Sequence, residues 1–178
     1  FHFLPVGNAG NYTAYSRGYR EDVAAGRSTK LPRMFGFQAA GSAPIVHGEV
    51  VRHPDTIASA IRIGNPASWQ FALEAREETD GYFGAITDEA ILAAHRILSA
   101  EVGVFVEPAS AIGVAGLLER ADAGVVPKGA KVVITVTGHG LKDPQWALRT
   151  PDGGEVTPTS VPVDTKSIAD VLGLVSEQ

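Results

Sequence analysis

Residues 1–15, FHFLPVGNAGNYTAY, join an apolar run to a turn of two glycines and two asparagines, and then to a helical segment. A short apolar run bounded by turn residues is typical of a buried strand. Glycine in the turn lets the backbone approach a neighbouring group closely. The stretch therefore predicts a strand, a tight loop and a helix. The loop is either an ordinary turn or a cradle for an anion.

The same order of an apolar run followed by a helical segment recurs along the chain. The predicted strands are FHFLPV, RMFGFQAAG, YFGAI, VFVEPAS and KVVITVT, and the helices after four of them are YTAYSRGYREDVAAG, TDEAILAAHRILSAEVG, AIGVAGLLERADAG and GHGLKDPQWAL. Strands alternating with helices indicate a mostly parallel sheet. The strands lack strict polar alternation, as expected when both faces are covered. We predict an α/β fold with a mostly parallel open sheet and helices on both faces.

The sequence also indicates where several helices begin and end. Thr87 or Asp88 is expected to cap the helix that ends at Gly103. Residues 56–62 are predicted to form another short helix, and Pro66 is expected to lie in the first turn of the helix that follows. A last helix is predicted over 165–175, with Val175 on its apolar side.

The bulk composition excludes several classes of protein. The 178 residues carry a net charge of −5 and no clustered basic face, which argues against binding nucleic acid or an anionic membrane surface. The absence of cysteine excludes disulfides, thiolate metal sites and cysteine nucleophiles. Since no apolar run is long enough to span a bilayer and no signal-peptide pattern is present, we expect a cytoplasmic protein.

The loop GNAGN is suited to a single phosphate. Gly7 and Gly10 favour close backbone approach, and Asn8 and Asn11 tolerate unusual dihedral angles and donate hydrogen bonds. Neither the Lys-Ser/Thr of a P-loop nor the third glycine of the dinucleotide fingerprint is present. A strand-to-helix turn without a ligand remains the alternative from this motif alone.

Two later segments end predicted strands, where ligands bind in parallel α/β sheets. In VTGHGLKDP (136–144), the Thr137 hydroxyl is a neutral partner for a heterocyclic nitrogen, or else a helix cap. In FVEPASA (105–111), Glu107 and Ser110 either reach the site or serve structure. Pairing with an arginine is the structural alternative for Glu107, and capping the next helix is the favoured one for Ser110.

Metal and hydrolase chemistry find no support in the sequence. The histidines form neither HxH nor HExxH, and no G-x-S-x-G elbow is present. His95 is expected to be a packed residue of its helix. We therefore predict no metal site.

Five segments of the chain, taken together and in order, point to one protein family. The series LPVGNAGNYTAYSRGY, MFGFQAAGSAPIVHG, HPDTIASAIRIGNPASW, FVEPASAIGVAGL and VTGHGLKDP resembles the threonine synthases over about residues 1–148. These are pyridoxal-phosphate enzymes of the tryptophan-synthase-β-like fold, also called fold type II. AIRIGNPASW and TGHGLKDP point to this family in particular, whereas GNAGN is shared more widely.

The resemblance implies a cofactor, a reaction and a set of site residues. Pyridoxal 5′-phosphate would be held at its phosphate by Gly7, Asn8, Ala9, Gly10 and Asn11, and at its pyridine nitrogen by Thr137. The reaction would convert O-phospho-L-homoserine and water into L-threonine and phosphate. Asn8 is also expected to help bind the substrate's phosphate, and a homodimer is expected.

The chain departs from the family pattern in one large respect. The lysine that forms the Schiff base lies in a Ser-Phe-Lys-Asp-like context in the family, and none of the five lysines here has that context. We therefore expect the lysine in an N-terminal segment upstream of Phe1, no catalytic residue within this chain, an incomplete fold, and no activity without that segment.

Two boundaries and two alternative functions complete the sequence-based expectations. Residues 1–149 are expected to be the C-terminal part of the catalytic domain, and 150–178 a surface loop and C-terminal helix. One alternative is a pyridoxal-phosphate-dependent threonine or serine dehydratase. The other is a non-catalytic phosphate-binding module.

Overall fold

The computed structural model describes residues 1–150 and 152–174, so Val175 lies outside the described residues. The chain divides into two compact units, Phe1–Pro144 and Gln145–Gln178. The elements of the first unit are β1 (His2–Pro5), α1 (Gly10–Ala24), β2 (Met34–Ala39), α2 (Pro44–His47), α3 (Trp69–Glu78), β3 (Tyr82–Ile86), α4 (Asp88–Ile97), α5 (Pro108–Asp122) and β4 (Val133–Ile134). The second unit carries α6 (Thr165–Val171).

The four strands form one parallel sheet in the order β3-β2-β1-β4. In the register, His2 lies opposite Met34 on one side and Val133 on the other. Strands that are neighbours in the sheet are therefore joined by crossover connections, which is the arrangement predicted from the alternating sequence. The predicted parallel α/β fold is confirmed.

Alternation along the strands supplies two hydrophobic cores, one on each face of the sheet. Phe3 and Phe37 pack on one face with the apolar sides of α4 and α5. Leu4 and Met34 pack on the other face with residues of α1 and α3. All six residues of β2 are buried, which explains why its sequence shows no polar alternation.

The clearest predicted helix begins where the sequence indicated. The Thr87 hydroxyl accepts the Ala90 N–H at 3.3 Å and caps α4. The helix continues through one wider turn, Leu98–Val102, and ends at Gly103, whose φ of 72° is in the left-handed region. In contrast, α3 begins only at Trp69, so Pro66 precedes the helix instead of lying in its first turn.

Four further predictions of secondary structure were wrong in extent or type. VFVEPAS is not a strand, since it forms only an isolated antiparallel bridge between Val106 and His139. KVVITVT contributes only the two-residue β4. GHGLKDPQWAL begins with a short 3₁₀ turn, Gly140–Lys142, rather than an α-helix, because its glycines disfavour the helix. Residues 56–62 likewise contain only the 3₁₀ turn Ser59–Ile61.

Over the described residues, none of the helices has the length and apolar character needed to cross a bilayer.

Candidate functional site

The loop between β1 and α1 presents a row of backbone donors at the start of a helix. Ala9, the residue before α1, has φ 63°, a left-handed conformation that is uncommon for a residue other than glycine. Within 1–150 and 152–174, the backbone N–H groups of residues 8–11 have no hydrogen-bond acceptor. Consecutive unpaired N–H groups at a helix N-terminus form an anion-binding site.

The two asparagines of the loop have different partners. Asn11 donates from Nδ2 to the Pro5 carbonyl at 2.8 Å and accepts the Tyr12 N–H at 2.8 Å, so its amide closes the turn. Asn8 accepts the Ala67 N–H at 2.7 Å on its side-chain oxygen. Asn11 thus shapes the loop, and Asn8 joins it to the segment before α3.

The loop residues and Thr137 line one cavity of about 360 Å³. Its wall is made by residues 7–11, Pro5, Ala60, Ile61, Ile63, Glu107, Ala109, Thr137 and Lys142. The structure therefore brings together the six residues singled out in the sequence, although 126 positions separate Asn11 from Thr137. They lie at the carboxyl edge of the parallel sheet, where ligands bind in such folds.

Part of the cavity wall, made by Ala60, Ile61 and Ile63, was not predicted from the sequence. A Cβ added at Gly7 would lie 3.1 Å from the Ile61 Cα and 3.2 Å from the Ala60 carbonyl oxygen. The loop and this wall are therefore in direct backbone contact. Asp88 holds the segment that precedes this wall, accepting the Thr56 hydroxyl at 2.5 Å and the Ile57 N–H at 3.1 Å.

Ser110 does not cap its helix, contrary to the favoured expectation. It is the third residue of α5 and is completely buried, and its Oγ accepts the Thr137 N–H at 3.1 Å and the Gly138 N–H at 2.6 Å. Its Oγ also lies 2.7 Å from the Thr137 Oγ1. The cap interpretation of Thr137 does not hold either, because the cap of the next turn is His139, whose Nδ1 accepts the Leu141 N–H.

A buried acid and an exposed base complete the polar side of the cavity. Glu107 is 2% exposed, and its Oε1 lies 3.7 Å from the Lys142 Nζ, so its partner is a lysine rather than the arginine considered above. A Cβ at Gly138 would collide with the Glu107 carboxylate, which is why this position has no side chain. Lys142 belongs to the motif TGHGLKDP, but only the fold shows that it lines the cavity.

His95 lies within α4. His95 is buried as predicted, and burial lowers the pKa of its imidazole below the ordinary value. Among the residues the structure describes, no group of three His, Asp or Glu side chains is placed to hold a metal ion.

The donor set of the cavity fits a phosphorylated pyridine. Backbone N–H groups at the start of α1 suit a phosphate, and a neutral hydroxyl at the other side suits a ring nitrogen. The cavity has room for a ligand of this size. The described lysine in its wall, Lys142, is paired with Glu107.

The family profile of pyridoxal-phosphate dependent enzymes matches residues 1–138. The chain is 57% identical to the threonine synthase of Mycobacterium leprae over 174 residues, covering 98% of this chain and 47% of that protein. It is 51% identical to the threonine synthase of Synechocystis over 170 residues, covering 96% and 44%. The chain thus spans about half the length of these relatives.

Solved structures share the fold at lower identity. A threonine deaminase from T.th. matches with TM-score 0.58 and 24% identity, covering 78% of this chain and 45% of that one. An L-serine ammonia-lyase of Rhizomucor miehei matches with TM-score 0.65 and 19% identity, covering 82% and 48%. These likenesses establish the architecture.

Proposed function

The chain belongs to the family of pyridoxal-phosphate dependent enzymes, and on that premise we propose that it is the C-terminal part of a threonine synthase. The whole protein would convert O-phospho-L-homoserine and water into L-threonine and phosphate. The bound cofactor supplies an electron sink for the reaction. The chain supplies half of the site that binds and orients it.

The observation that carries this proposal is the level of identity to threonine synthases. It is 57% over 98% of the chain, against 24% and 19% for the deaminating enzymes of the same fold. The two segments that point to threonine synthase in particular, 60–69 and 137–144, both contribute to the cavity wall. The first does so through Ala60, Ile61 and Ile63, and the second through Thr137 and Lys142. The similarity therefore includes the part of the molecule that would contact ligands.

The loop residues and Thr137 each have a proposed role. The backbone N–H groups of Gly7, Asn8, Ala9, Gly10 and Asn11 bind the cofactor's phosphate, aided by the positive end of α1. The Thr137 hydroxyl binds the pyridine nitrogen. The Asn8 side chain holds the Ala67 N–H with its oxygen, and its Nδ2, which has no hydrogen-bond partner among the described residues, is proposed to donate to the phosphate of the substrate.

The proposal extends to the rest of the protein. The lysine that carries the cofactor, and the acid–base step that it performs, are assigned to a segment upstream of Phe1. The protein is proposed to be a cytoplasmic homodimer. Size-exclusion chromatography with light scattering tests the dimer, and a protomer mass at working concentration contradicts it.

The test of function uses the full-length protein with two sets of substrates. Phosphate and threonine are measured after incubation with O-phospho-L-homoserine, and ammonia and 2-oxo acids after incubation with threonine or serine. We expect equal amounts of phosphate and threonine from the first set. Deamination of threonine or serine without phosphate release would instead identify a dehydratase, and cofactor-independent phosphate binding alone would indicate a binding module.

A further inference from the structure

We propose that Ser110 is a positioning residue that fixes the direction of the Thr137 hydroxyl, so that this hydroxyl donates its proton into the cavity. The inference rests on the proposed cofactor and names a residue that acts through Thr137 without lining the cavity itself. The lone pairs and protons of the Ser110 and Thr137 hydroxyl groups decide which of the two donates to the other.

The Ser110 oxygen has no lone pair left to accept a third hydrogen bond. It already accepts the N–H groups of Thr137 and Gly138, at 3.1 and 2.6 Å. A serine hydroxyl has two acceptor sites and one proton. The 2.7 Å contact between the two hydroxyls must therefore be made by the Ser110 proton, with the Thr137 oxygen as acceptor.

The Thr137 proton is then free for a ligand. Across the described residues, the Thr137 hydroxyl has no hydrogen-bond partner other than Ser110, and Thr137 lines the cavity. Because the Thr137 hydroxyl accepts its hydrogen bond from Ser110, its own proton is directed to a ligand in the cavity. The matching ligand atom is an unprotonated ring nitrogen, which has a lone pair and no N–H.

The burial of Ser110 keeps the direction of this pair fixed. Its side chain is completely buried within α5, so water cannot replace its proton or its acceptor sites. The charged groups in the same cavity are Glu107 and Lys142, whose Oε1 and Nζ lie 3.7 Å apart. The charge of the acid is opposed by that of the base, and we assign control of the ring nitrogen's protonation to the hydroxyl pair.

The test measures that nitrogen directly. The full-length holoenzyme is prepared with cofactor labelled with ¹⁵N in the ring, as wild type, Ser110→Ala, Ser110→Cys and Thr137→Val. The ¹⁵N chemical shift reports whether the nitrogen is protonated, and the ³¹P shift reports whether the phosphate is still bound in the loop. Ser99→Ala is the matched control, since the Ser99 hydroxyl donates to the His95 carbonyl within its own helix and is not in the cavity.

In the wild type and in Ser99→Ala we expect an unprotonated, hydrogen-bonded nitrogen. In Ser110→Ala the ¹⁵N resonance moves away from that value, the ³¹P resonance does not, and kcat falls about tenfold, the factor that one hydrogen bond of ordinary strength supplies. Ser110→Cys, with a weaker donor, gives an intermediate shift. When Ser110→Ala is added to Thr137→Val it changes the ¹⁵N shift no further, because the hydroxyl it orients is gone.

A wild-type ¹⁵N shift in Ser110→Ala overturns the inference, and so does a protonated nitrogen in the wild type. If Ser110→Ala does not fold because two N–H groups lose their acceptor, the Ser110→Cys shift decides, and a value equal to wild type overturns the inference. The proposed function is judged separately by phosphate release. A protein that shows the expected shifts but does not make threonine refutes only the function, and one that binds no cofactor refutes both.

Discussion

The two glycines of the phosphate loop differ in what a side chain would meet. A methyl group at Gly7 would press on the backbone of Ala60 and Ile61, at 3.2 and 3.1 Å. A methyl group at Gly10 would have nothing within 4 Å. Packing within the chain therefore explains the glycine at 7. The glycine at 10, which is the first residue of α1 and lines the cavity, has no such packing reason, and we attribute it to the proposed phosphate.

This difference gives opposite expectations for two alanine substitutions. Gly7→Ala should lower the free energy of unfolding of the cofactor-free protein by about 1–3 kcal/mol, because backbone atoms must shift to admit the methyl group. Gly10→Ala should leave it unchanged or raise it by up to about 1 kcal/mol, since alanine favours the helix. The cost of Gly10→Ala should appear only when the cofactor binds.

The expected loss of cofactor affinity in Gly10→Ala follows from the hydrogen bonds that the phosphate would lose. The added methyl group would prevent the phosphate from accepting a hydrogen bond from at least one backbone N–H of the loop. A hydrogen bond to a charged group contributes about 1.5–3 kcal/mol. The dissociation constant of pyridoxal 5′-phosphate should therefore rise by about ten- to a hundredfold.

The assay compares two ligands on full-length protein from which the cofactor has been removed. Pyridoxal 5′-phosphate and pyridoxal are titrated separately and followed by absorbance, and unfolding is measured in urea without ligand. Gly10→Ala should weaken binding of the phosphorylated ligand and leave binding of pyridoxal unchanged. Wild-type affinity for pyridoxal 5′-phosphate in Gly10→Ala would refute the assignment of the loop. Equal weakening for both ligands would refute the phosphate as the group that it contacts.

Three further predictions concern stability. Gly116→Ala should destabilise the fold by about 1–3 kcal/mol, because its methyl group would overlap an aromatic ring of the sheet, whereas Gly18→Ala, on an open part of α1, should stabilise it by up to about 1 kcal/mol. Asp88→Ala should cost at least about 1.5–3 kcal/mol in urea unfolding, the contribution of one hydrogen bond to a charged group, and should speed amide exchange in the segment before the cavity wall, since it removes two such hydrogen bonds. Since burial lowers the pKa of His95, the unfolded chain binds its proton more readily, so the free energy of unfolding should fall as the pH drops below about 6.5 and level off below the folded-state pKa. His95→Gln should flatten this slope.

Each of these three stability predictions would be contradicted by one particular result. Equal effects of the two glycine substitutions would contradict the packing of α5 on the sheet. Unchanged exchange in Asp88→Ala would show that the segment around Thr56 and Ile57 is held by other contacts. A His95→Gln protein with the wild-type pH slope would mean that its imidazole takes up a proton equally well in the folded and unfolded chain.

The sequence predicts the sheet well because the relevant interactions are local. The apolar runs of β1 to β3 are buried on both faces, so each is recognisable without its neighbours. The start of α4 is equally local, since the Thr87 hydroxyl caps a residue three positions away. The strand predicted at VFVEPAS failed because an apolar run does not reveal whether a partner strand is available, and here the partner is one residue, His139.

The candidate site depends on contacts that are distant in the sequence. Ser110 was interpreted as a cap because serine near a helix start usually is one. Its actual partners lie 27 and 28 residues away, and only the fold brings them together. Ala60, Ile61 and Ile63 belong to the motif AIRIGNPASW but carry no polar side chain that indicates a binding role, and they enter the site because Gly7 packs against them. The loop and Thr137, in contrast, were found through ordered motifs.

The most direct test of the central claim is one incubation of the full-length protein with O-phospho-L-homoserine in water labelled with ¹⁸O. If the protein is a threonine synthase, mass spectrometry should find one ¹⁸O in the hydroxyl of the threonine formed and none in the released phosphate, because the carbon–oxygen bond breaks and water adds to carbon. Labelled phosphate together with homoserine would show hydrolysis of the phosphate ester instead. Either that result or the absence of threonine would contradict the proposed function.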